Sequence, residues 1–134
     1  MKTVDIAAFF RGVAEFNAGK YFECHDTLEE IWMGISGEER RFLQGLIQVS
    51  VGFYHIGNGN PSGALSQWGK GREKLAGFGD EFGGVKLAPL LEAVKRWSAV
   101  AVGQLSGARA PVEKIESPKL DFIHNSHRRE PWQQ

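Results

Sequence analysis

Several familiar chemistries are missing from this 134-residue sequence, and each absence narrows its function. A single cysteine, Cys24, excludes an intrachain disulfide and any cysteine-based zinc cluster. Neither charge sign is in excess: 16 Lys+Arg face 16 Asp+Glu. There is no basic surplus with which to displace counterions, so nucleic acid is not an expected partner. No apolar run approaches the roughly 20 residues that cross a bilayer, and no membrane partner is expected. The opening MKTVDIAAFFRG lacks the basic end, apolar core and cleavage site of a signal peptide, so the expected location is cytoplasmic. No serine sits in a Gly-x-Ser-x-Gly elbow, and Gly69-Lys70-Gly71-Arg72 lacks the spacing of a phosphate loop. Strand-like alternation is almost nowhere to be found.

What is present is helical. Hydrophobic residues at 42% and charged residues at 24% are globular values, and at this length one domain is expected. Glycine, at 17 residues, is about twice its usual share, and four tryptophans add large apolar area. Together they suggest bulky side chains packed against closely approaching backbones. Ile6, Phe9, Phe10, Val13 and Phe16 fall at three- and four-residue steps and predict a helix from about Val4 to Phe16. Further helices are predicted at Tyr21 to Met33, Gly37 to about Ile56, about Pro61 to Phe78, and about Lys86 to Leu105. Asn17-Ala18-Gly19, Ser36 and Asn60-Pro61 supply stops and caps, and Gly77 to Gly84 reads as a loop. Short connections make consecutive helices neighbours. The expected architecture is therefore all-α: a bundle of about five helices over residues 1–105. Residues 106–134, with Pro111, Pro118 and Pro131, form an irregular tail, either disordered or laid on the bundle by Leu120, Phe122, Ile123 and Trp132.

Polar residues inside apolar stripes mark the candidate site. On a wheel, Tyr21, Phe22, His25, Leu28, Glu29 and Trp32 share one face of the second helix, while Glu23, Asp26, Thr27 and Glu30 lie opposite. His25 and Glu29 stand four apart, close enough for the histidine to satisfy the carboxylate. The third helix is apolar almost all round, apart from a stripe holding Arg41, Gln44, Gln48 and His55 beside Gly45 and Gly52. Seating the second helix on that glycine seam brings His25 and Glu29 toward Gln44, Gln48 and His55, with Tyr21, Trp32 and Tyr54 as walls. Such a constellation has three readings. It is a buried hydrogen-bond network; or a divalent transition-metal site on His25, Glu29 and His55; or a small-ligand pocket with a histidine as acid or base. The Glu-x-x-His motif of di-iron bundles is missing from both helices. Cys24 lies off the His25 face with no evident partner and reads as an inert thiol.

The segments FNAGKYFECHDTLEEIW, from Phe16 to Trp32, and GEERRFLQGLIQVSVGFYH, from Gly37 to His55, resemble the family called domain of unknown function 309. The matching positions are Gly19, Tyr21, Glu23, His25, Leu28, Glu29, Trp32, Glu38, Glu39, Arg40, Arg41, Gln44, Gly45, Leu46, Ile47 and His55. The likeness covers about the first 75 residues and leaves out the fifth helix and the tail. It implies a small helical bundle, with room for a homo-oligomer, and supplies no reaction or substrate. It also singles out Glu23, which the wheel sets opposite His25 and which Arg40 or Arg41 could pair across the turn. The leading expectation is a helical domain of unknown function with a polar His/Glu/Gln pocket, structural or ligand-binding. The alternatives are a metal-dependent, hydrolytic enzyme using His25, Glu29 and His55, and a self-association or protein-interaction module.

Overall fold

The computed structural model describes residues 3–107 and 116–123. Five helices follow in order: α1 (Thr3–Asn17), α2 (Tyr21–Met33), α3 (Gly37–Gly57), α4 (Pro61–Ala76) and α5 (Ala88–Leu105). The all-α expectation holds, and consecutive helices pack on one another with α3 held between α2 and α4. The expected punctuation is in place in part: Ser36 precedes α3, but its side chain makes no capping hydrogen bond. Asn60 caps α4, its side-chain oxygen accepting from the Gly63 N–H at 3.0 Å, with Pro61 in the first turn. Among the described residues no helix is long and apolar enough to cross a membrane.

α3 and α4 touch through glycine. A Cβ on Gly45 would stand 2.8 Å from the Leu75 side chain, and one on Gly71 would stand 2.8 Å from Val49. At Gly52 it would stand 2.3 Å from the Trp68 indole nitrogen. Trp68 is fully buried and donates its N–H to the Val49 carbonyl at 3.2 Å. Gly45 and Gly52 therefore do bring a helix in close, but that helix is α4 and not α2. The reason is volume: the α4 face offers Trp68 and Leu75, whose bulk needs the bare backbone that α2 does not.

The stretch read as a loop contains a small hairpin, β1 (Glu81–Phe82) against β2 (Val85–Lys86), with Phe82 opposite Val85. Gly83 and Gly84 both take positive φ, 58° and 81°, which a two-residue hairpin turn demands and a side chain resists. Residues 116–123 complete the edge: Lys86 N–H donates to Asp121 O at 2.9 Å, and Ile123 N–H donates to Gly84 O at 2.8 Å. Asn17 holds the same segment with both ends of its amide. Its nitrogen donates to Leu120 O at 3.0 Å and its oxygen accepts from Leu120 N–H at 2.7 Å. Leu120 is buried, and the Phe122 ring lies 5.2 Å from that of Phe10. Trp132, the fourth residue expected to anchor the tail, lies outside the described residues.

Candidate functional site

The face that α2 turns to the core is made by Cys24, Thr27, Leu28 and Ile31. This lies about 100°, one residue step, from the stripe expected by the wheel. Tyr21, His25, Glu29 and Trp32 still form a line, but it runs along the rim between core and solvent. Thr27, expected outside, is inside. The physical reason is the neighbour on the other flank: α1 packs on α2, and Gly12 of α1 opens room for Leu28, 2.7 Å from where its Cβ would be. A helix gripped from two sides buries the arc facing both neighbours, and a one-sided wheel cannot weigh the second.

His25 and Glu29 meet on the rim. The imidazole Nε2 lies 2.7 Å from Glu29 Oε2, with the two side chains 25% and 46% exposed. The Nδ1 atom lies 3.3 Å from Asp26 Oδ1 without hydrogen-bond alignment, so among the described residues this buried nitrogen has no hydrogen-bond partner. Phe22 packs its ring 5.7 Å from His25 and 5.5 Å from Tyr54, and Tyr54 lies 6.0 Å from His55. Phe22 and Tyr54 stay 48% and 40% exposed. Further along α2, Trp32 carries the Arg40 guanidinium 3.9 Å above its ring, and that guanidinium also donates to Ile35 O at 3.3 Å.

The other expected members are dispersed. The Gln48 side-chain oxygen accepts from Lys74 on α4 at 2.8 Å. The His55 Nδ1 lies 3.4 Å from the Asn60 amide nitrogen in the α3–α4 turn. Gln44 is half-buried, and Arg41 and Glu23 are exposed. Among the described residues neither Arg40 nor Arg41 pairs with Glu23. Tyr21 belongs to a different cluster, stacked 5.5 Å from Phe53. His25, Glu29 and His55 are not brought together as one donor set, and among the described residues no three His, Cys, Asp or Glu side chains are placed to hold a metal ion.

Sequence reasoning missed the polar groups that are truly interior. Ser50, fully buried on α3, donates its hydroxyl to Leu46 O at 2.9 Å, which leaves its oxygen to accept from the Cys24 thiol at 3.4 Å. Thr27 donates to Glu15 on α1 at 2.6 Å. Burial pushes the Cys24 thiol up to about 12, with Glu15 adding to the shift and Ser50 opposing it. It is a protonated, unreactive group. The signal that could have located this interior is size: Gly12, Cys24, Thr27 and Ser50 are the small residues at which helices close on one another.

Residues 9–67, which run from α1 into α4, match the model of the family described as Domain of unknown function (DUF309). The resemblance read from the sequence is borne out over that stretch. An uncharacterized protein of Bacillus subtilis, YpuF, is 41% identical over 59 residues, covering 42% of this chain and 34% of that protein. An uncharacterized protein of Aquifex aeolicus is 26% identical over 76 residues, covering 56% of this chain and 23% of that protein. The matched stretch thus spans about a third or less of the curated relatives' length, and the domain is a small helical unit of unknown function.

Proposed function

We propose that the domain is a binding module that docks a basic, apolar-bearing protein segment on the outer side of α2 and the end of α3. One observation carries this reading: Phe22 and Tyr54, two large aromatic side chains in mutual contact, are held half out of the core side by side. Aromatic anchors exposed in this way are what a partner buries at the centre of an interface. Charge sets the partner's chemistry. α2 carries Glu23, Asp26, Glu29 and Glu30 and has neither Lys nor Arg, and of its carboxylates Glu29 is already engaged by His25. A symmetric pairing of two copies through this face would set the same acids against one another. A cationic segment with an apolar side chain between its charges fits instead. The recurrence of the matched unit inside longer proteins suits a module. The cytoplasm is the setting this reading assumes.

A synthetic amphipathic helix of Lys and Leu, titrated by calorimetry, tests the proposal. Saturable binding that weakens steeply with salt and falls at least about ten-fold in the Phe22→Ala/Tyr54→Ala double variant is expected. Binding indifferent to the double variant overturns it. So does a concentration-dependent dimer that the double variant abolishes, since the face would then belong to a second copy.

A further inference from the structure

A second feature lies apart from that face and does not depend on it. Where the start of α2 and the end of α3 meet α5 and residues 116–118, an open-sided cavity of about 270 Å³ remains. Its walls are aromatic. Tyr21 lies at 30° to Phe53, with ring centres 5.5 Å apart, and Trp97 stands at 89° to Phe53 at 6.2 Å. Phe53 itself is buried beneath Phe16, Tyr21, Trp68 and Trp97, so the ring surfaces left to a further flat ring are those of Tyr21 and Trp97 on either side of it. The Trp97 N–H is committed to Glu116 O at 3.3 Å, which fixes the indole and ties the rim to α5.

The lining selects against charge, because no ionisable residue other than Tyr21 contributes to it. Its polar atoms sit on Tyr21, Gln104 and Ser117, and among the described residues none of these side chains is hydrogen-bonded. Burial pushes the Tyr21 phenol above its ordinary range, so it keeps its proton and can donate. Gly57 forms part of the lip. Its φ is not positive, and nothing lies within 4 Å of where its Cβ would be. Neither backbone nor packing calls for glycine there, although glycine weakens a helix. Glycine there leaves the mouth of the cavity open. Volume sets the scale: an apolar cavity of about 150 Å³ holds one benzene, so this one admits a larger single ring or a fused pair.

We propose that this cavity binds a small, neutral, flat aromatic molecule bearing one hydroxyl or N–H group, its ring between Tyr21 and Trp97 and its polar group toward Gln104 and Ser117. The test uses the full chain with 4-methylphenol and indole as probes and benzoate as the charged comparison, followed by calorimetry and by NMR shifts of the aromatic resonances. Expected are one-site saturation by at least one neutral probe, shifts centred on Tyr21 and Trp97, and binding of benzoate about ten-fold weaker or worse. Gly57→Leu, which places a side chain at the lip without a clash, should weaken the neutral probes about ten-fold or more while leaving thermal unfolding unimpaired. Failure of both neutral probes to saturate up to their solubility overturns the proposal. So do shifts centred away from Tyr21 and Trp97, benzoate binding as tightly as the neutral probes, or a folded Gly57→Leu that binds like the parent.

Discussion

Replacing Gly52 by alanine should unsettle this domain far more than adding one methyl group suggests. The new Cβ would stand 2.3 Å from the Trp68 indole nitrogen and 2.4 Å from its Cδ1. Carbon contacts settle at about 3.5 Å, so the indole must retreat by roughly 1 Å, and it is fully buried with nowhere to go. Overpacking of this kind costs about 1–3 kcal/mol. Moving the ring also breaks the 3.2 Å bond to the Val49 carbonyl, and an orphaned buried N–H costs a further ~1–3 kcal/mol. Against this, alanine is the better helix former by about 1 kcal/mol. The balance is a loss of about 1–5 kcal/mol, centred on ~3 kcal/mol and on the order of 10 °C in melting temperature at this size. Gly69→Ala is the matched control. It sits in the interior of α4 with nothing within 4 Å of its Cβ, so it should gain about 0.5–1 kcal/mol. Urea and thermal unfolding followed by circular dichroism measure both. A Gly52→Ala protein within about 0.5 kcal/mol of the parent would refute the claim that α3 and α4 are in contact at this glycine.

Four further outcomes are expected. Because the Cys24 thiol is raised from 9.0 to about 12 in the fold, it keeps its proton there and loses it more readily when unfolded. Its contribution to stability is whole below pH 9 and declines as pH rises toward 12; Tyr21 acts in the same direction, so Cys24→Ala should flatten part of the alkaline decline in urea titrations. Iodoacetamide at pH 8 should label Cys24 only as fast as the protein opens, and rapid native labelling would contradict its burial. Asn17→Ala removes both hydrogen bonds to Leu120, a loss of ~1–2 kcal/mol confined to that contact. Hydrogen exchange should quicken at Leu120, Lys86 and Ile123, and unchanged protection would mean that apolar packing alone holds the segment. The half-exposed His25–Glu29 pair is worth little once solvent screening is counted, so Glu29→Gln should shift stability by less than about 0.5 kcal/mol; a larger loss in thermal melts would make the pair a structural element.

The five helices and the cap at Asn60 were legible in the sequence, because they follow from short-range periodicity and backbone chemistry that each segment carries by itself. Gly45 and Gly52 likewise announced a close helix contact. What could not be read was which helix would fill it. Complementary volume decided for Trp68 and Leu75 on α4, and with α4 on that seam α2 turned its small residues inward and left His25 and Glu29 on the rim. The glycine turn at Gly83–Gly84 was visible as glycine but not as a hairpin, since its two strands are two residues each, too short to show an alternation.

Local sequence, then, determined the secondary structure and the small residues where backbones meet. Tertiary packing alone decided the rotation of α2, the dispersal of Gln48 and His55 to other partners, and the aromatic-walled cavity between α3 and α5. Periodicity reports that a helix has an apolar side. Which arc of that side is buried depends on every neighbour at once, and those neighbours are chosen by shape across distances that no window of sequence spans.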